Sequence, residues 1–196
     1  MCLKLLHNVK FYFRGFARSC RLLTEDSRKL LYNAAIASRL NYCDAVWDGC
    51  SSEFRDKLQT VQNRCARRIL NRLPGTSAAP LRKLGWMSLA DKRTLHKCVL
   101  LHRILLGNGP EALKRLLTIY SREVQKTTRS VTNGNFFIPG FNTNYFKKSF
   151  IHDAVTTWNT IPVELKLLSN NETFKENLSN YFLNHNPALT TISRLR

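Results

Sequence analysis

Apolar side chains recur at helical spacing through residues 54–69, and this repeat restricts the fold more than any other feature. Phe54, Leu58, Val61, Cys65 and Ile69 follow one another at intervals of three or four residues, which places them on one face of an α-helix. Further helices are expected over 3–21, 28–40, 89–106, 111–120, 150–158 and 172–182. We therefore predict a mainly α fold, a small helical bundle.

Capping residues mark the start of several of these helices. Thr24 precedes Glu25 and Asp26, and Ser88 stands three residues before Asp91, so both positions predict helix N-termini. Apolar residues lie nearly all round the helix over 28–40, which predicts a central element packed on several sides. Tyr42 and Trp47 are expected to close the core between helices.

Polar residues at 121–135 predict a linker between two parts of the chain. Residues 1–120 would form a basic helical domain, and residues 136–196 a small aromatic-rich helical subdomain. Within the latter, aromatic residues over 136–146 are interrupted by Pro139 and Gly140, which predicts a short extended segment or hairpin.

The chain is strongly basic, with 31 lysines and arginines against 13 acidic residues and a formal charge of +18. Residues 1–109 carry 20 of the basic and 7 of the acidic side chains. No acidic residue occurs between Asp56 and Asp91. Such a local positive field indicates a polyanionic partner and backbone contacts to nucleic acid, whether RNA, DNA or a hybrid. A basic protein without a specific anionic partner is the simpler alternative.

Two of the predicted helices, 53–70 and 89–106, carry basic residues along one side. These side chains are our candidates for contacts to phosphate, without readout of the bases. The nucleic-acid-binding candidates are Lys57, Arg64, Arg67, Arg68, Arg93 and Lys97.

The cysteine pattern argues against a metal site or a disulfide framework. None of the six cysteines forms a C-x-x-C pair, and no secretory signal precedes them. We therefore expect reduced, mostly buried thiols in an intracellular protein, and we predict no metal, no cofactor and no catalytic residue. No apolar run is long enough to predict a transmembrane segment.

The segment 3–21 has three interpretations. Leu6, Val9, Phe13, Phe16 and Cys20 form an apolar stripe, while Lys10, Arg14, Arg18 and Arg21 form a basic one, and no acid occurs before Glu25. A core helix is the first interpretation. A helix on a membrane surface and a mitochondrial presequence are the other two, because both share this acid-free amphipathic pattern.

Three blocks of sequence occur in an order that resembles the region after the catalytic domain of non-LTR retrotransposon reverse transcriptases of animals. The first is LNYCDAVWDGCSSEFRDKLQTVQNRCARRIL, the second PLRKLGWMSLADKRTLHKCVLLHRILLGNGPEAL and the third NYFKKSFIHDAVTTWNTIPVELK. The resemblance implies a thumb and post-thumb region that holds a template-primer duplex. It also implies structural roles for Trp158, Asn159 and Pro162.

The resemblance does not extend to catalysis, because polymerases of this family use paired aspartates in a palm domain to hold two metal ions. The chain contains no adjacent pair of aspartates. We therefore expect a truncated copy or fragment that is not itself an enzyme and that acts in the nucleus or cytoplasm. One alternative is a protein-interaction or assembly module that docks on the missing palm. Another is an imported mitochondrial protein.

Overall fold

The computed structural model describes residues 2–71, 79–121, 134–136, 138 and 149–185. In this part of the chain the regular secondary structure is helical and no strand occurs, which confirms the predicted mainly α class. The elements are α1 (Cys2–Ser19), α2 (Glu25–Tyr32), a π-helical segment (Asn33–Ala37), α3 (Ser38–Asn41), α4 (Asp44–Trp47), α5 (Ser52–Ile69), α6 (Ala79–Lys83), α7 (Leu89–Leu105), α8 (Glu111–Ser121), α9 (Phe150–Asn159), α10 (Val163–Lys166) and α11 (Asn171–His185).

The chain packs as two compact units, the first built on residues 1–93 and the second on residues 94–187. The predicted hairpin over 136–146 lies outside the described residues except at positions 136 and 138. Of the predicted linker over 121–135, only positions 121, 134 and 135 are described. Both assignments therefore remain predictions.

Helix α1 packs against α5 in the core of the first unit. Leu6, Val9, Phe16 and Cys20 are buried, in one cluster with the apolar stripe of α5. This burial confirms the core interpretation of residues 3–21. It also means that the apolar face of α1 is already occupied within the protein.

The segment from α2 to α3 is buried on one side only. Thr24 caps α2 as predicted, its hydroxyl oxygen accepting a hydrogen bond from the Ser27 amide at 3.4 Å. Tyr32, Ile36 and Leu40 are buried, but Leu30 is 72% exposed. The prediction of a helix packed on several sides was therefore wrong, because the composition of a helix does not state how many neighbours cover it.

The neighbouring aromatic pair also divides between core and surface. Trp47 is buried, and its indole N–H donates to the Tyr42 carbonyl at 3.1 Å. Tyr42 itself is 72% exposed. Core closure is confirmed for Trp47 alone.

Amide side chains on α5 stabilise the start of α7. Gln59 Oε1 accepts the Leu89 amide at 2.8 Å, and Gln62 Nε2 donates to the Met87 carbonyl at 3.1 Å. The Ser88 hydroxyl accepts the Asp91 amide at 3.1 Å and donates to the Asp91 carboxylate at 2.7 Å, as the predicted cap requires. Burial raises the pKa of the Asp91 carboxyl. The first turn of α7 is thus held by polar contacts to α5 and to its own cap.

A stack of rings forms the core of the second unit. His102 is buried and lies parallel to Phe174, with ring centroids 4.2 Å apart. Its Nε2 lies 2.7 Å from the Leu168 carbonyl and its Nδ1 lies 3.1 Å from Asn171 Oδ1. Trp158 completes the stack, with its centroid 5.7 Å from that of Phe174.

Trp158 and Asn159 hold the backbone at 134–136 against the end of α9. The Trp158 indole N–H donates to the Gly134 carbonyl at 3.0 Å. Asn159 bonds both backbone groups of Phe136, donating to its carbonyl at 2.8 Å and accepting from its amide at 2.9 Å. These contacts give both residues a structural role, in line with what the family resemblance implied.

The described cysteines are all free thiols, and they differ in exposure. Cys20, Cys65 and Cys98 are buried, whereas Cys43 is exposed and has a positive φ of 50°. Burial raises the pKa of Cys98 to about 12 and raises the pKa of Cys65 as well. Among the cysteines whose side chains the structure describes, Cys43 is exposed and Cys50 is half-buried, so Cys43 is the most accessible of these thiols.

Alkylation of the native protein should therefore modify Cys43 before the buried Cys20, Cys65 and Cys98. We expect Cys65 and Cys98 to react at least about 100-fold more slowly, because their modification needs local opening of the core. Peptide mass mapping over time measures each rate, and Cys43→Ser, which should lose the fast adduct, is the control. Modification of Cys98 as fast as that of Cys43 would contradict the burial described above.

Candidate nucleic-acid interface

Helix α5 begins at a serine cap and turns its apolar stripe into the core. Ser51 Oγ accepts the Phe54 amide at 3.4 Å. The stripe predicted from the sequence, Phe54 to Ile69, is buried along its whole length. The exposed residues of the helix lie mostly on one side of this stripe, and they are Ser52, Glu53, Asp56, Lys57, Thr60, Arg64 and Arg68.

Charge is unevenly distributed along this exposed side. Lys57 Nζ lies 2.5 Å from Glu53 Oε1, and this ion pair lowers the pKa of Glu53. Asp56 adds a second carboxylate to the same half of the helix. Beyond Thr60 the exposed side carries only Arg64 and Arg68, and neither forms an ion pair within the described residues. The positive field is therefore strongest at the C-terminal end of α5.

Three of the six predicted nucleic-acid-binding residues are buried. Arg67 on α5 is 7% exposed, Arg93 4% and Lys97 3%. A guanidinium or ammonium group at this depth does not reach a phosphate on the surface. The structure thus corrects our prediction for these three residues, and it leaves Lys57, Arg64 and Arg68 exposed on one helix.

Carboxylates on and after α4 engage the cations at the start of α7. Arg93 Nε lies 2.5 Å from Asp48 Oδ1, and its guanidinium carbon lies 5.2 Å from the centroid of the Trp47 ring. Lys92 is half-buried, which lowers its pKa, while Asp44 opposes this effect. The positive charge of this part of α7 is therefore balanced inside the first unit.

Lys97 and its carboxylate partner both belong to the second unit. Its ammonium group forms an ion pair with Asp153 of α9, and its side chain is 4% exposed. The helical period placed Lys97 on the same side as Arg93, but that side is covered by protein. The pattern alone does not distinguish a cation that faces phosphate from one that pairs with a carboxylate of the protein, since both occur at the same spacing.

Arg28 is a buried residue behind the exposed arginines of α5, and the sequence analysis did not identify its role. Its guanidinium donates to the Cys20 carbonyl at 2.7 Å, the Ile69 carbonyl at 3.1 Å, Asn71 Oδ1 at 2.6 Å and the Arg68 carbonyl at 3.5 Å. It therefore satisfies carbonyls at the C-terminal ends of α1 and α5, where the helix dipoles favour a cation. Its acceptors are backbone and amide oxygens, so no acidic residue in the sequence signals this role.

This shared cap brings two exposed basic segments together. Because one guanidinium bonds the carbonyls of both Cys20 and Arg68, the end of α1 lies beside the end of α5. Burial raises the pKa of the Cys20 thiol, and the nearby guanidinium groups of Arg28 and Arg68 oppose this effect. Arg21 follows Cys20 in the chain and is exposed. We name the exposed set Arg21, Arg64 and Arg68 the α5 cluster.

No protein-family model, curated protein or solved structure matches this chain. Within the described residues, no group of three histidine, cysteine, aspartate or glutamate side chains is placed to hold a metal ion. None of the described helices has both the length and the hydropathy needed to cross a membrane.

Proposed function

We propose that this chain is a fragment of a non-LTR retrotransposon reverse transcriptase that binds the backbone of a template-primer duplex without a polymerase centre of its own. The observation that carries the proposal is the α5 cluster: Arg64 and Arg68 are exposed, and within the described residues they form no ion pair. The three sequence blocks support the family, and the +18 formal charge supports a polyanionic ligand.

Several features support backbone contact rather than base readout. The α5 cluster projects from helix ends that Arg28 ties together, so its charges sit on a rigid support. Arginine forms paired hydrogen bonds with phosphate oxygens and keeps its charge at any physiological pH. Such contacts give affinity that depends on salt and little on sequence.

Removal of the two α5 arginines should flatten the salt dependence of binding. We would titrate a blunt RNA–DNA hybrid with the wild type and with Arg64→Gln/Arg68→Gln at several salt concentrations. The slope of log K against log salt should fall in magnitude by roughly 2, because each phosphate contact contributes about 0.9. Lys29→Gln/Lys175→Gln is the matched control, since both lysines are at least partly exposed and already paired with carboxylates. An unchanged slope in a folded double variant would remove the α5 cluster from the interface.

Docking on a separate palm domain is the second candidate function, favoured by one observation. Tyr42 and Val46 are 72% and 71% exposed, Tyr42 two residues before α4 and Val46 within it. Large exposed apolar and aromatic side chains are typical of protein interfaces. A Tyr42→Ser/Val46→Ser variant that binds the hybrid normally but loses association with a polymerase palm would support this role.

Mitochondrial import with removal of residues 1–21 is the third candidate, and the fold argues against it. Cleavage would remove Leu6, Val9, Phe16 and Cys20 from the core. We therefore place the proposed activity in the nucleus or cytoplasm, where a reporter fusion would retain α1 intact.

A further inference from the structure

The outer face of α1 carries a second basic surface that the α5 cluster does not include. Lys10, Arg14 and Arg18 are spaced four residues apart, so they form one row along the helix. With Lys4, His7 and Phe11 they make a set of six exposed residues within about 120° of arc, over a length of about 21 Å. We name the set Lys4, His7, Lys10, Phe11, Arg14 and Arg18 the α1 face.

The cations of the α1 face are not neutralised by the protein. Helix α1 contains no acidic residue, and the first acid of the chain is Glu25. Lys4, Lys10, Arg14 and Arg18 form no ion pair within the described residues. Four like charges along about 21 Å of helix repel one another, so a bound polyanion would stabilise this surface.

An aromatic ring stands in the middle of this basic row. Phe11 is 65% exposed and meets Tyr12 in a T-shaped arrangement with centroids 5.6 Å apart. The Tyr12 ring is itself covered, since the Arg39 guanidinium carbon lies 3.5 Å from its centroid. Phe11 is therefore the ring of this pair that remains available for an external partner.

The alternative anionic partner, a membrane surface, fits the α1 face less well. A helix that lies in a membrane interface buries its apolar stripe among the lipid chains. In α1 that stripe, which includes Val9 and Phe16, is buried in the protein core. What the helix offers outward is a row of cations with Leu3 and Phe11 as its large apolar side chains.

We propose that the α1 face binds single-stranded nucleic acid, with Lys10, Arg14 and Arg18 on the phosphates and Phe11 stacked on an unpaired base. Cations alone suffice for a duplex backbone, whereas an exposed ring among cations suits bases that are free to stack. The inference rests on the proposed function in one respect: it assigns to α1 the unpaired strand that extends from the duplex held by the α5 cluster.

Three fluorescent probes distinguish the two surfaces. They are a blunt RNA–DNA hybrid, the same hybrid with a single-stranded extension of about eight nucleotides, and the single strand alone. The full chain should bind the extended hybrid about tenfold more tightly than the blunt one. Phe11→Ala should remove this gain and leave the blunt hybrid unaffected, while Phe11→Tyr retains it. Leu22→Ala is the matched control, because Leu22 is 91% exposed and lies outside the α1 face.

The charge row is tested separately on the single strand. Lys10→Gln/Arg14→Gln/Arg18→Gln should reduce the magnitude of the salt slope by roughly 2, because each contact to a single strand contributes about 0.7. Circular dichroism checks that α1 is still folded in each variant. Vesicles containing phosphatidylserine serve as the competing anionic surface.

Each remaining outcome decides between the two proposals. Equal affinity for the blunt and extended hybrids, with no effect of Phe11→Ala, overturns the role of α1 and leaves the α5 cluster in place. Binding of the single strand through α1 without binding of the blunt hybrid supports this inference and overturns the proposed duplex grip. Binding of neither, or of vesicles alone with loss in the triple variant, overturns the inference.

Discussion

Arg28→Met is expected to lower the free energy of unfolding of the first unit by about 4 kcal/mol, since several hydrogen bonds to a charged group are lost at once. The carbonyls of Cys20 and Ile69 would remain at least partly buried without a donor. Methionine has similar bulk, so the packing change is small and the effect reports mainly on the lost cap. Arg28→Lys should recover part of the loss, because an ammonium group can reach some of the same oxygens.

Tryptophan fluorescence reports the unfolding of the first unit once Trp158, the tryptophan of the second unit, has been replaced. Trp47 and Trp86 belong to residues 1–93, and Trp86 stacks on Tyr32 of α2 at 4.3 Å. Denaturant titration in a Trp158→Phe background therefore reports on the helices that Arg28 connects. Lys29→Met is the matched control, and its solvent-screened ion pairs predict little change in stability. A loss of less than about 1 kcal/mol in Arg28→Met would show that the cap is not needed.

Trp158→Ala is expected to destabilise the second unit by about 3–5 kcal/mol, the usual cost of removing a large buried aromatic side chain. Trp158 is 2% exposed and packs near both His102 and Phe174. The variant also leaves the Gly134 carbonyl without its indole donor. Trp158→Phe keeps most of the ring packing, so it should cost less than the alanine variant and lose mainly the hydrogen bond, about 1 kcal/mol.

Hydrogen exchange of the α9 and α11 amides measures this effect without a tryptophan reporter. Protection in both helices should fall together in Trp158→Ala, because Phe174 of α11 packs in the same ring stack. Leu167→Ala is the control, since Leu167 is 78% exposed and its truncation should change stability by less than about 0.5 kcal/mol. Wild-type protection in the alanine variant would contradict the assignment of Trp158 as the centre of this core.

Helix positions and caps were largely predictable from local sequence. The apolar stripe of α5, the Thr24 cap and the Ser88–Asp91 cap all occur where the residue spacing placed them. These features depend on contacts within one helix turn, which the spacing of three or four residues reports directly. The family resemblance and the nucleic-acid ligand remain proposals, because no comparison supports or contradicts them.

Burial of individual cations was not predictable in the same way. Arg67, Arg93 and Lys97 share the helical spacing of Arg64 and Arg68, yet the first three are buried. Asp48 pairs with Arg93 across 45 positions and Asp153 with Lys97 across 56, and periodicity within a helix contains no information about such distant partners.

The sequence by itself determined that this protein is helical, strongly basic and provided with an acid-free α1 whose apolar stripe suits a core. Only the tertiary structure decided which cations reach solvent and which are buried against carboxylates. It also decided that Arg28 joins the C-terminal ends of α1 and α5 through carbonyl oxygens. The physical reason is that every residue carries a backbone carbonyl, so a cap made from such groups leaves no signature in the sequence.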